Sequence, residues 1–131
     1  MILRMWHGRT PTDLAESYEQ FLERRAIPDY RSVSGNLGAM VLRCEDGAVV
    51  HFVTISYWDS ADSIRAFAGE DLLTAKYYPE DEQFLLEKEE HVLHFEVVSA
   101  AGIATSHADI PRLGKVGSAN AKAGGVEPAE T

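Results

Sequence analysis

Val49-Val50-His51-Phe52-Val53-Thr54-Ile55 is apolar on both faces of any strand it forms. Successive side chains of a strand point to opposite sides, so a run like this is covered on both sides. Just before it, Asp46-Gly47 separates the run Leu37–Glu45 from the run Ala48–Trp58, and Asp-Gly between two such runs is a strong hairpin signal. Working outward, Ile2–Arg9 reads as a first strand, with Leu3 and Met5 turned one way and Arg4 and Trp6 the other. Thr10-Pro11-Thr12-Asp13 then opens a helix, with Thr10 as cap, Pro11 at the first helical position and Asp13 in the capping-box place. Leu14, Tyr18, Phe21, Leu22 and Ala26 give it one apolar stripe, and Pro28 is expected to end it.

Asp59 or Ser60 caps a second helix, striped by Ile64, Phe67 and Ala68 and stopped near Gly69. Ala75–Pro79 is a connector, Glu80–Leu86 a short helix, and His91–Ser99 the last strand. The order strand, helix, strand, strand, helix, strand predicts an α+β fold of the ferredoxin-like βαββαβ kind, with a four-stranded antiparallel sheet and both helices on one face. Residues 1–99 form that single domain. Residues 100–131, rich in Ala, Gly and Ser, are expected to be a disordered tail. Helices cover one face of such a sheet, yet the third strand is apolar on both. A second copy is the simplest cover, so a homodimer is expected.

The formal net charge is −9. The tail holds three basic residues (Arg112, Lys115, Lys122) and three acidic ones (Asp109, Glu127, Glu130), so the domain carries the whole excess. That argues against nucleic acid and against anionic membrane surfaces as partners. Cys44 is alone, which excludes an internal disulfide and a thiolate metal site within one chain. No apolar run resembles a signal peptide or a membrane span, so a cytoplasmic protein is expected.

Trp6-His7-Gly8, Ser56-Tyr57-Trp58-Asp59-Ser60, Ile64 through Asp71, Tyr77-Tyr78-Pro79-Glu80-Asp81 and His94-Phe95-Glu96-Val97 together resemble the antibiotic biosynthesis monooxygenase family over about residues 1–98. The resemblance implies a dimeric α/β barrel. It also implies oxidation of an electron-rich aromatic or enol-bearing small molecule by molecular oxygen, with no cofactor, metal or flavin. The substrate's own anion would supply the electrons. Some relatives degrade haem with an Asn on the first strand, a Trp at the end of the third and an axial His on a helix. Trp58 fits the Trp, Trp6 or His7 stands at the Asn position, and no His lies between Asp59 and Lys88. Other members have no assigned reaction, so the alternative is a non-catalytic small-molecule-binding or stress-related dimer.

His7, near the open end of the first strand, and His94, on the last, are the candidate catalytic bases, since neutral imidazole suits a phenol or enol near pH 7. Trp6 and Trp58 are candidate aromatic walls for a flat substrate. Tyr77 and Tyr78 are candidate donors to an oxyanion, and Arg4 a partner for an anion or for Glu96. Two histidines without a placed carboxylate do not indicate a metal. His51 faces either the interior or the dimer interface. Cys44 reads as a small buried hydrophobe, and the acids from Glu80 to Glu90 as solvated.

Overall fold

The computed structural model describes residues 1–102. The predicted tail lies, from residue 103 onward, outside the described residues. Strands β1 (Ile2–Pro11), β2 (Asn36–Asp46), β3 (Val49–Trp58) and β4 (Leu93–Glu96) form one antiparallel sheet in the order β2-β3-β1-β4. A helical run joins β1 to β2, and α3 (Ala61–Ala68) follows β3. This is the ferredoxin-like α+β arrangement read from the sequence.

The register assigns the faces. Arg4, Trp6, Gly8 and Thr10 of β1 stand opposite Ser56, Thr54, Phe52 and Val50 of β3, and all eight are buried under the helices. The odd-numbered positions make the other face. There Phe95, Leu3, Tyr57 and Gly38 form one row, and Leu93, Met5, Ile55 and Met40 the next. His7, Val53 and Leu42 follow, then Arg9, His51 and Cys44. No element of the described chain packs a layer on this face, and Leu42, Leu93 and Phe95 are 44%, 56% and 50% exposed on it. The double-sided apolar character of β3 is thus used on one side by the helices and left open on the other.

The first helical run differs from expectation. The strand continues through Thr10 to Pro11, so Thr10 is buried in the sheet and caps nothing. Thr12–Leu14 is a 3-10 turn, α1 (Ala15–Phe21) follows, Leu22–Ala26 is π-helical, and α2 (Ile27–Arg31) carries Pro28 within its first turn. Pro28 therefore does not end the run. A proline ring collides with the carbonyl four residues back in a regular helix. The wider π turn just upstream relieves that collision and lets the chain continue to Arg31. Glu80–Leu86 is likewise a shorter 3-10 turn, Pro79–Gln83, and the last strand is Leu93–Glu96 rather than His91–Ser99.

Other local signals hold. Gly47 turns the hairpin at φ +62°, and the Ser60 side chain caps α3 by accepting from the Ser63 N–H at 3.2 Å. Gly35 sits at φ +94°, where an added Cβ would lie 2.0 Å from Ser63 Oγ and 2.6 Å from Asp59 Oδ1. Gly35→Ala therefore meets both backbone strain and a clash, and is expected to cost about 1–3 kcal/mol in a urea titration. A change of a few tenths would show that the turn rearranges freely.

Candidate functional site

The residues singled out in the sequence divide between the two faces. Arg4, Trp6 and Trp58 point under the helices, as does His94, opposite Arg4 in the register. His7 points to the open face.

On the helix side the groups are closely tied. Arg4, 2% exposed, donates to the carbonyls of Leu72 (2.7 Å) and Thr74 (3.1 Å). It also donates to His94 Nε2 at 3.2 Å. The expected Arg4–Glu96 pair is not formed. Burial and the neighbouring Arg4 cation both lower the His94 pKa, and Arg4 occupies the lone pair a base would use. Trp58 is wholly buried, bonds Ser56 Oγ through Nε1 at 2.9 Å and packs on Phe67 and Tyr30. Trp6 leans on Tyr18 and Tyr77, and its indole Nε1 is buried.

Tyr78 donates to Asp29 at 2.5 Å, and burial, then Asp29, raise its pKa. Tyr77 donates to the Glu89 carbonyl at 2.5 Å. Asp81 does not sit in solvent with the acids around it. It is 2% exposed and accepts from Tyr18 OH at 2.8 Å and Tyr78 N–H at 2.7 Å. Burial raises its pKa despite those bonds. Together Trp6, Tyr18, Tyr30, Thr54, Lys76 and Tyr78 help to line a cavity of about 20 Å³, room for about one water molecule.

Asp29 carries a pH dependence of its own. Burial works against its charge, but hydrogen bonds from Tyr78 and Lys76 outweigh burial and hold its pKa below the ordinary 3.8. A depressed folded pKa stabilises the fold above the unfolded value, and that stability is lost as pH falls through the folded value. Wild type is therefore expected to lose its advantage over Asp29→Asn as pH drops below about 3.8 in parallel denaturation curves. An advantage that persists in acid would place the effect elsewhere.

The open face holds a different cluster. Glu89 Oε2 is 2.7 Å from His7 Nδ1, His7 Nε2 is 2.9 Å from His51 Nδ1, and His51 Nε2 is 3.1 Å from Asp46 Oδ2. The two imidazole planes are inclined by 26° with centroids 5.1 Å apart, so the rings meet edge to edge through His7 Nε2 and His51 Nδ1. Beside them Arg9 grips Glu87 through two bonds of 3.0 and 2.7 Å, and this bond holds the Glu87 carboxyl below its ordinary range. Main-chain contacts place the acids. Leu86 N–H donates to the Arg9 carbonyl at 2.9 Å, which lays the segment after the 3-10 turn along β1, and Tyr77 fixes the backbone at Glu89.

The sequence singled out His7 alone here. His51, left open in the sequence between the interior and the dimer interface, falls on the open face, and Asp46 and Glu89 carry no signal there, because joining them to His7 requires the β1–β3 register and the path of an irregular segment. Cys44, opposite His51, is half-buried rather than buried. Among the described residues, no three His, Cys, Asp or Glu side chains form a group that could hold a metal ion. No described helix is long and apolar enough to cross a membrane.

No family model and no curated protein matches the chain. Among solved structures, the heme-degrader MhuD from Mycobacterium tuberculosis, with two hemes bound in its active site, is similar to it. The two share 20% identity with a TM-score of 0.54, over 78% of this chain and 100% of that one. The shared object is the ferredoxin-like fold.

Proposed function

We propose that the protein is a homodimeric oxygenase for small electron-rich molecules that needs neither metal nor flavin, and that its chemistry belongs to the open face of the sheet. The observation that carries this reading is the Glu89–His7–His51–Asp46 chain set at one end of an apolar surface. A second copy laid on that surface would exclude water from Leu3, Met5, Val53 and Ile55 and leave the imidazoles as the polar groups beside an enclosed space. An aromatic substrate would rest on the apolar rows. The histidine pair would take the proton of its phenol or enol, and the resulting anion would give electrons to oxygen. In balanced form, a CH2 group and O2 become C=O and H2O.

Heme does not suit the helix-side interior. The room there is about 20 Å³, its lining contains no histidine, and α3 offers none. The same small interior favours a second reading, a non-catalytic dimer whose cavity is filled by its own side chains. Oxygen uptake with a panel of enolisable aryl ketones that carry an oxidisable CH2 group separates the two. The oxygenase reading expects uptake matched by one carbonyl formed per O2. No uptake across the panel would sink it.

A further inference from the structure

The Glu89–His7–His51–Asp46 chain of the open face runs through both nitrogens of each imidazole. Each of its three contacts, at 2.7, 2.9 and 3.1 Å, is of hydrogen-bond length. A hydrogen bond needs one proton between its two atoms, so three contacts need three protons. Both ends are carboxylates, which only accept when ionised, and a neutral imidazole has one N–H. Two neutral rings therefore supply two protons and leave one contact with facing lone pairs. With all three contacts bonded at once, the chain would hold one proton more than two neutral histidines and two carboxylates supply, wherever along the chain that proton resides.

We propose that His7 and His51 act as one proton-holding unit, with Asp46 and Glu89 as the positioning residues that let the pair take up a single shared proton. The two-proton state has an open link and a ring lone pair directed at no donor. That state is the base. Accepting a proton closes the chain, and the closed chain can return the proton later. This deepens the oxygenase reading, and in its catalytic part rests on it. The substrate O–H bond breaks, its electron pair stays on the substrate oxygen, and the proton completes the chain. When the oxygenated carbon expels its water, the same proton leaves with it.

The surroundings suit a shared charge. Arg9 of β1 and Glu87 beside it neutralise one another, and the Glu87 carboxyl is held below its ordinary range first by Arg9 and, more weakly, by the two imidazoles. Cys44 and Asp46 face it from β2, and Glu89 from the crossing segment. Within one chain the side chains of His7 and His51 are 31% and 30% exposed, which turns both rings toward the space that a second copy would enclose.

The test uses the full chain with 15N-labelled histidine. Ring nitrogens are followed by long-range proton–nitrogen correlation through a pH titration, with assignments from His91→Gln, His94→Gln and His107→Gln. The wild-type pair is expected to take up its first proton in one coupled step seen at both rings. Asp46→Asn is expected to abolish the coupling and leave His7 bonded to Glu89, and Glu89→Gln to abolish it from the other end. Asp46 lies at an exposed hairpin end, so its variant tests charge rather than folding. Two rings titrating independently, unchanged in both variants, would overturn the proposal. The readout needs no substrate. Coupled titration without oxygen uptake would keep the unit and discard the oxygenase, and uptake that depends on His7 without coupling would do the reverse.

Discussion

Replacing His7 with alanine is expected to lower kcat/KM for oxygen uptake by about 10²- to 10⁴-fold, the usual contribution of a positioned general base. The fold should survive. His7 lies on the open face, across the sheet from the core packed under the helices, and its removal takes no contact from that core. Thermal unfolding near the wild-type midpoint would therefore accompany the lost rate. His94→Gln provides the contrast. Its amide oxygen can still accept from Arg4, so the helix-side network is kept, and activity within a few-fold of wild type is expected. If the two variants exchange outcomes, the base belongs under the helices and the open-face account is wrong.

Replacing Trp58 with alanine is expected to cost about 3–5 kcal/mol, the range for removing a fully buried large aromatic side chain. Trp58 is 0% exposed, with ring centroids 5.5 Å from Phe67 and 6.4 Å from Tyr30. It ties the end of β3 to α3 and to α2. The loss also strips Ser56 Oγ of its indole donor inside the core, and a buried unpaired hydroxyl adds to the cost. Domains of this size are stable by about 5–15 kcal/mol. At roughly 4–8 °C per kcal/mol, the melting midpoint should drop by at least about 12 °C. Trp58→Phe should recover part of the loss. A midpoint within a few degrees of wild type for the alanine variant would mean that the corner is not held by this ring.

The architecture was legible because its signals are local or periodic. The doubled apolar pattern of residues 49–55, the Asp46-Gly47 turn and the Ser60 cap each act within a few residues. The first helical run was harder. Pro28 is a helix breaker by its own geometry, and only the π turn from Leu22 to Ala26 makes it tolerable. The site was legible in part. Alternation separated Leu3 and Met5 from Arg4 and Trp6, and His7 falls with the first pair. Alternation alone does not say which face the helices take, so His7 was grouped with Trp6, Trp58 and Tyr78 across the sheet from it. Glu89 lies in a stretch with no repeating pattern and reaches His7 through main-chain bonds to Arg9 and a contact from Tyr77. Asp81, read with its acidic neighbours as solvated, is drawn inside by Tyr18 and the Tyr78 backbone.

The open face is central to the whole account. It carries the histidine chain, it is apolar over most of its rows, and it stays uncovered within one described chain. Sedimentation equilibrium of the full chain at micromolar concentration tests this directly. The account predicts a mass twice the 14.5 kDa of one chain, falling to the single-chain mass when Phe95 on that face is replaced by Glu. A wild-type protein that sediments as a monomer, or a dimer indifferent to Phe95→Glu and to Leu93→Glu, would contradict it.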